Sequence, residues 1–212
     1  MSRPASRLRA TASPAGRTSG RASSSAPGDG KAAGHQAAGS AHRSAPPKAT
    51  PSGKPSPSVS AAPAQPYEFY DSIDPETVPA GAEVATYATG AHPTPASLVA
   101  GRKKVIWIDT EGTDPRAQAI DVEPGCASPS QVPQWVQSHL TDDPGTVAIV
   151  YTTISEWSEV QQDVGSLPAS MQSKIRWWIA DPTGSPHIVP GSQATQWYWG
   201  SNYDESEALP SF

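Results

Sequence analysis

The chain has 212 residues, among them 24 prolines, seven tryptophans and one cysteine, and its charge is unevenly distributed. Residues 1–66 contain nine Lys/Arg and one Asp, whereas residues 67–212 contain six Lys/Arg and nineteen Asp/Glu. The lone Cys126 excludes an internal disulfide, and we expect neither a membrane span nor a signal peptide, because no sufficiently long apolar run occurs.

The first 66 residues consist mainly of Ala, Pro, Ser and Gly. This composition buries too little apolar surface to offset the entropy lost on ordering, and so predicts a disordered basic tail over 1–66. Its positive charge could contact nucleic acid, an anionic membrane or an acidic wall polymer, but we favour a solvated tether. We expect no specific nucleic-acid partner, because no aromatic residue is available for base stacking before Tyr67. One folded domain is predicted over 67–212.

Runs of β-branched and aromatic residues, most of them followed by Gly, Pro or Asp, predict eight strands. In chain order these cover residues 67–71, 83–88, 103–109, 118–123, 146–152, 174–181, 186–189 and 194–200. Segments with helical character lie between them, at residues 94–101, 128–140, 155–164 and 167–174. In the second of these segments, Ser128 is the predicted N-cap and Pro129 the first helical residue.

The alternation of strands and helical segments predicts βα units and a mostly parallel sheet. Eight strands indicate a (β/α)8 barrel, but such barrels usually need about 250 residues. Residues 67–212 are too few for a helix after every strand. We therefore predict a compact, helix-poor (β/α)8-type (TIM-like) barrel, with an open α/β sheet as the alternative.

Residues 119–125 read AIDVEPG and place two carboxylates two positions apart at the end of a predicted strand. Because side chains alternate between the faces of a strand, Asp121 and Glu123 point to the same side, roughly 6.5–7 Å apart along the strand. Two like charges repel each other and gain nothing from burial. The pair is therefore either a solvated strand end or an acid–base pair, and we favour the second interpretation.

Polar side chains also end several other predicted strands, at the edge where barrels and open α/β sheets form their sites. These residues are Asp71, Asp109, Tyr151, Asp181 and Gln196. Acids gathered at one rim raise one another's proton affinity, which can keep a carboxylic acid protonated near neutral pH. The alternative is that Asp simply favours strand ends and turns.

Other chemistries have less support. The five histidines show no metal-ligand spacing, and the sequence contains no nucleophile elbow, P-loop or dinucleotide-binding motif. Cys126 has no evident histidine partner. We expect no cofactor and no resident metal, although an acid-rich rim leaves a metal-dependent phosphodiesterase open as a third possibility.

Aromatic residues are concentrated in the last predicted strands, at positions 177, 178, 197, 198 and 199. Aromatic faces can stack on pyranose rings, although core packing is the default for most of them. Strict alternation predicts that Trp197 and Trp199 share one face of their strand, opposite Tyr198. We include Trp197 among the candidate substrate-binding residues.

Five segments, in order, resemble the lysozyme-like glycoside hydrolases of family 25 and related glycoside-hydrolase-like domains of actinobacterial proteins. They are FYDS, IDVEPG, VAIVYT, WWIAD and ATQWYWGSNYD. The resemblance covers most of 67–212 and none of the tail. It implies a compact, irregular barrel with a D-x-E pair ending the fourth strand. This domain is shorter than the family's, and its seventh strand is barely visible.

The resemblance also implies roles for individual residues. Glu123 matches the proton donor, Asp121 its partner acid and Asp71 the acid of the first strand. The implied substrate-binding positions are Tyr151, Trp178, Gln196 and Asp204. Asp109 and Asp181 are added because they end predicted strands.

The implied reaction is hydrolysis of the β-1,4 bond between N-acetylmuramic acid and N-acetylglucosamine in peptidoglycan. The expected partner is peptidoglycan or a related glycan, the expected state is a monomer, and the expected location is extracellular or in the cell wall. The alternative is a non-catalytic glycan- or wall-binding module on the same barrel.

Overall fold

The computed structural model describes residues 64–212, which form a closed barrel of eight strands. Apart from residues 64–66, the predicted tail lies outside the described residues. The strands are β1 (Tyr67–Asp71), β2 (Val84–Tyr87), β3 (Val105–Asp109), β4 (Ala119–Val122), β5 (Ala148–Thr153), β6 (Ile175–Ala180), β7 (Ala194–Trp199) and β8 (Asp204–Ala208).

The barrel is mixed rather than fully parallel. Strands β1 to β7 pair in parallel with their neighbours, whereas β8 pairs antiparallel with both β7 and β1. The closed, helix-poor barrel is confirmed, but a regular (β/α)8 barrel has eight parallel strands, so the TIM-like description is not. The carboxyl ends of β1–β7 and the amino end of β8 meet at one edge, here called the carboxyl rim.

Seven of the predicted strands are present, but the strand predicted at 186–189 is wrong and β8 was not predicted. Residues 186–189 form a loop, in which the Val189 N–H donates to the Thr195 hydroxyl at 2.9 Å instead of joining a strand ladder. The last strand reads DESEA, a composition of low β propensity. Only Ser206 and Ala208 of this strand are buried, so its apolar signal is weak.

The helical segments are short. The α-helices are α1 (Val132–Asp142), α2 (Trp157–Val164) and α3 (Ala169–Gln172), and 3-10 helices cover Pro75–Thr77, Ala96–Val99 and Pro129–Gln131. Ser128 caps the third 3-10 helix as predicted, and its backbone N–H donates to the Gln131 side chain at 2.9 Å in a capping box. Within residues 64–212, no helix has the length and apolar character needed to cross a membrane.

The core has two main layers. One fills the barrel, and the other lies between the outer faces of β4–β6 and the helices. Trp178 lies inside the barrel with 1% of its surface exposed, 5.0 Å from the Phe69 ring and 4.8 Å from the Tyr151 ring. Its indole N–H donates to the Ser206 hydroxyl at 3.0 Å. The structure therefore places Trp178 in the barrel interior, where it packs against three strands.

Replacing Trp178 with alanine should lower the free energy of unfolding by about 3–5 kcal/mol, because the change leaves a cavity and removes a buried hydrogen bond. Urea unfolding of the full chain measures this loss. Tyr198→Ala, at a side chain that is 43% exposed, is the control and should cost much less. Equal losses in the two variants would contradict the placement of Trp178 in the core.

Candidate functional site at the carboxyl rim

The D-x-E pair lies at the end of β4. Along this strand, Ile120 and Val122 pack against the helices, so Ala119 and Asp121 face the barrel interior. Asp121 is 4% exposed, whereas Glu123 follows the strand and is half-buried. One oxygen from each carboxylate lies within 4.8 Å of the other. The two acids thus share one side of the strand and lie in direct electrostatic contact.

A tight turn follows the pair. The Cys126 N–H donates to the Glu123 carbonyl at 2.9 Å, and the Ala127 N–H donates to the Asp121 carbonyl at 3.1 Å. Pro124 and Gly125 lie between Glu123 and Cys126, in the order favoured by a type II turn. Gly125 has the positive φ of 99° that this turn requires. The turn brings the Cys126 sulfur within 4.8 Å of both carboxylates.

Two further acids reach the rim from the strands that close the barrel. Asp71 ends β1, Asp204 begins β8, and the two residues are register partners. Directly paired residues project to the same face of a sheet. Asp71 is 5% exposed and Asp204 is half-buried. These two residues, together with Asp121 and Glu123, are here called the acid cluster.

The Gln196 side chain links the acid cluster to the aromatic residues of the rim. Its amide nitrogen donates to the Asp71 carboxylate at 2.7 Å. Its amide oxygen accepts from the Tyr151 hydroxyl at 3.0 Å and from the Trp199 indole N–H at 2.5 Å. Because an indole N–H can only donate, the amide orientation is determined by its partners. Gln196 therefore holds Asp71, Tyr151 and Trp199 in fixed relative positions.

A β-bulge in β7 directs Trp199 toward the rim. Gln196 pairs with Ser206, but Tyr198 pairs with Glu205 and Trp199 with Asp204, so β7 has one extra residue at this point. The extra residue reverses the alternation, which places Trp199 on the same face as Gln196. The prediction that Trp197 and Trp199 share a face is wrong for this reason. Trp199, rather than Trp197, reaches the hydrogen-bond network.

Burial and mutual repulsion raise the pKa values of the rim acids. Burial raises the pKa of Asp71 well above its usual range, and Asp204 raises it further. Burial likewise raises the pKa of Asp121 well above its usual range, with Glu123 as the second cause. The pKa of Glu123 is raised by burial and then by Glu156 and Asp204. Within residues 64–212, no ion pair joins Asp71, Asp121 or Glu123 to a basic side chain.

Two tyrosines complete the inner wall of the site. Tyr87 ends β2 and was not predicted as a site residue, although it follows the same inward alternation as Ala85. Burial raises the pKa of Tyr87 and of Tyr151 well above the usual range, with nearby acids as further causes. Both phenols therefore remain neutral at physiological pH and can donate hydrogen bonds.

Asp109, a predicted substrate-binding residue, does not join the acid cluster. Ile106 and Ile108 face the barrel interior, so Asp109 faces outward. Its two carboxylate oxygens accept five hydrogen bonds at 2.7–3.1 Å, and it is fully buried. The donors are the Thr89 hydroxyl, the backbone N–H groups of Glu111, Gly112 and Asp114, and the Trp135 indole. Asp109 thus anchors the loop after β3 and the helix α1.

Asp181 and Trp197 also lie apart from the acid cluster. Trp178 and Ala180 face the interior of the barrel, so Asp181 follows β6 on the opposite side, where its carboxylate lies 3.1 Å from the His187 Nε2 atom. Trp197 lies at the bulge, with its ring 5.7 Å from the Tyr198 ring. Of the ten predicted site residues, the structure brings six together: Asp71, Asp121, Glu123, Tyr151, Gln196 and Asp204.

Exposed apolar side chains surround the same rim. Among the described residues, the exposed large hydrophobic side chains are Ile73, Ile154, Tyr198 and Trp199. Ile73 follows β1, Ile154 follows β5, and the two aromatic residues end β7. A cavity of about 220 Å³ lies beside Glu123 and is also lined by Cys126 and Glu156. The rim therefore combines buried acids with accessible apolar surface, as ligand sites do.

Comparison with known proteins establishes the fold alone. No protein-family model and no curated protein matches the chain. A solved structure, the "1.07 A crystal structure of an uncharacterized B. stearothermophilus protein", is similar, with a TM-score of 0.50 at 12% sequence identity. The match covers 68% of this chain and 96% of that one. At this identity the likeness carries no information about substrate.

Asp109→Asn should lower the free energy of unfolding by about 3 kcal/mol or more, because an amide cannot accept all five hydrogen bonds of the buried carboxylate. Asp181→Asn is the matched control, since it disturbs only a half-exposed contact with His187 and should cost less than about 1 kcal/mol. Urea unfolding measures both. Similar small losses would show that Asp109 does not anchor the loop.

The rim acids should make the folded chain less stable as the pH rises. An acid whose pKa is raised in the folded state does not destabilise the fold while it is protonated in both the folded and the unfolded chain. The loss of stability develops as the pH rises from the ordinary pKa of the acid to its folded-state pKa. Asp121→Asn removes one such acid, whose ordinary pKa is 3.8. The variant should therefore unfold at a higher temperature than the wild type at pH 8, with a smaller difference at pH 3.

Thermal unfolding across this pH range provides the measurement, and Asp142→Asn, at an exposed position near the end of α1, is the control for loss of one charge. A stabilisation by Asp121→Asn that does not depend on pH would contradict the raised pKa of Asp121.

Proposed function

We propose that the domain is a glycoside hydrolase of lysozyme (muramidase) type that cleaves β-1,4 bonds in peptidoglycan. In this proposal Glu123 is the general acid and Asp121 its partner carboxylate, on a shortened TIM-like barrel whose last strand is reversed. The observation that carries the proposal is the convergence of the acid cluster at one rim, where no basic side chain among residues 64–212 neutralises Asp71, Asp121 or Glu123. The resemblance of IDVEPG and the closing segment to family 25 supports the same assignment.

Glu123 has the properties of a proton donor. It is half-buried at the strand end, it lines the cavity beside the turn, and its pKa is raised by burial and by neighbouring acids. Two carboxylates in electrostatic contact hold a proton between them. A hydrogen bond from the Cys126 thiol lowers the pKa of Asp121, but burial outweighs it and the pKa of Asp121 stays well above its ordinary range. The proposed reaction therefore requires the proton shared by the two acids to be on Glu123 when the glycan is bound.

The proposed reaction starts with proton transfer from Glu123 to the glycosidic oxygen, so that the leaving sugar departs as a neutral alcohol. Ionised Asp121 stabilises the developing oxocarbenium ion or orients a substrate acetamide that acts as the nucleophile. The oxygens of Asp121 and Glu123 lie within 4.8 Å of each other, closer than the roughly 6.5–9.5 Å between the carboxyl groups of inverting enzymes. A substrate-assisted route needs no second catalytic carboxylate and so places no requirement on this separation.

Neighbouring side chains supply the means to hold a sugar. Tyr151 and Gln196 form a buried polar wall behind the acids, and the same Gln196 amide holds Asp71. Trp199 is 37% exposed, and its indole is fixed by Gln196, so its accessible surface can stack on a pyranose ring. These residues would position the glycan, while Glu123 and Asp121 carry out the proton transfer and charge stabilisation.

A non-catalytic glycan-binding module is the second candidate. The exposed apolar side chains at the rim favour it, because they provide a binding surface whether or not the acids react. The third candidate, a metal-dependent phosphodiesterase, has less support. Among residues 64–212, none of the charged groups that shift the pKa values of Asp71, Asp121 and Glu123 is basic, so only a bound metal ion could supply the positive charge that a phosphate needs at this site.

Glu123→Gln should reduce reducing-end release from purified peptidoglycan by about 10²–10⁴-fold, the range expected for loss of a general acid. Glu156→Gln is the matched control. Since Glu156 raises the pKa of Glu123, its removal should retain activity at acidic pH and move the alkaline limit of activity to lower pH. The full chain is used, and circular dichroism checks that each variant folds.

A folded wild-type chain that binds peptidoglycan but releases no reducing ends would refute the hydrolase and favour the binding module. Release that survives in Glu123→Gln would place the acid elsewhere.

A further inference from the structure

Three side chains at the carboxyl rim converge as a donor set for a metal ion. One carboxylate oxygen of Asp121, one of Glu123 and the Cys126 sulfur all lie within 4.8 Å of one another. We propose that these three residues form a binding site for a thiophilic divalent cation of the zinc type. The proposal concerns binding by this chain and does not depend on the hydrolase assignment.

The backbone brings the three donors together. Asp121 is the inward residue at the end of β4, and Glu123 is the next residue on that side. The turn through Pro124 and Gly125 then reverses the chain, with its closing hydrogen bond from the Cys126 N–H to the Glu123 carbonyl. Cys126 therefore returns to the side of the strand that carries both acids.

A second observation points to a missing partner at this place. Asp121 is 96% buried, as its exposed fraction is 4%, and its Oδ1 atom has no hydrogen-bond donor among residues 64–212. Buried carboxylate oxygens nearly always have a partner, so this oxygen calls for a ligand. The Glu156 Oε2 atom is also buried and has no hydrogen-bond partner in the part of the chain that the structure describes, and Glu156 lines the same cavity as Glu123 and Cys126.

The chemistry of the donors selects the kind of ion. A thiolate favours zinc and related soft or borderline cations over magnesium and calcium, which prefer oxygen ligands alone. Three protein ligands leave one position of a tetrahedral site for water. Zinc bond lengths of about 2.0–2.3 Å place tetrahedral ligands roughly 3.5 Å apart, so the half-buried Glu123 and Cys126 side chains need only a small rotation.

The cavity of about 220 Å³ lies beside Glu123 and Cys126 and offers an entry path for a hydrated ion. On binding, the Cys126 thiol releases its proton to solvent, and its sulfur forms the bond to the cation. If the proposed function holds, a cation on Glu123 also occupies the proton donor, so zinc should inhibit hydrolysis and a chelator should restore it.

Cobalt(II) is the probe that tests the site, because a thiolate ligand gives a characteristic sulfur-to-cobalt charge-transfer band. Cys126 is the one cysteine of the chain, so such a band in the full-length protein reports this residue alone. We expect the reduced wild type to develop the band up to one equivalent of cobalt and to lose it when zinc is added. Cys126→Ser should show no band.

The contribution of the two carboxylates is tested by measuring the affinity of each variant for cobalt. Asp121→Asn and Glu123→Gln should each weaken cobalt binding about tenfold or more, whereas the exposed Asp142→Asn should bind as the wild type does. A wild type without the band, or unchanged affinity in both carboxylate variants, would overturn the proposal. No glycan is present in this experiment, so its failure is distinct from a failure of the hydrolase assignment.

Discussion

The side-chain amide of Gln196 is the interaction on which the rim depends most. It joins β1, through Asp71, to β5, through Tyr151, and it fixes the bulged end of β7 through Trp199. These elements are distant in sequence, and the amide makes all three bonds only in one orientation. The antiparallel β8 completes the arrangement, because its first residue, Asp204, pairs with both Asp71 and Trp199.

Two buried aspartates of this chain differ in how their carboxylates are hydrogen-bonded. Asp109 is fully buried and accepts five hydrogen bonds, so its carboxylate contributes to the fold. Asp121 is nearly as buried, has another acid beside it, and has one oxygen with no hydrogen-bond donor among residues 64–212. Such an arrangement costs folding free energy, and proteins retain it mainly where the site has a function. The number of donors, rather than burial, distinguishes the two residues.

Much of the barrel could be predicted from local patterns. Seven strands and the cap at Ser128 follow from apolar runs, turn residues and helix-capping rules. The same-side placement of Asp121 and Glu123 follows from the period of a strand. In contrast, β8 has little apolar character. Its inward residues Ser206 and Ala208 are small, because the Trp178 indole fills this part of the barrel.

The remaining features of the site depend on contacts distant in sequence or on an irregular backbone. The bulge that directs Trp199 toward Gln196 becomes evident only once β7 is paired with β8. Strict alternation would have excluded Asp109 from the rim, because Ile108 faces inward, and would have added Tyr87. A polar residue at a strand end is therefore not a sufficient criterion for a site residue. The side of the strand to which its side chain points is also needed.

The central claim is that the rim acids hold protons more tightly than ordinary carboxylic acids do. Carbon-13 NMR titration of the side-chain carboxyl groups in the full chain measures this property directly, with Asp71→Asn, Asp121→Asn and Glu123→Gln used to assign the resonances. We expect Asp71 and Asp121 to titrate above the ordinary value of 3.8, and Glu123 above 4.5. Titration of all three groups at or below those values would contradict the account.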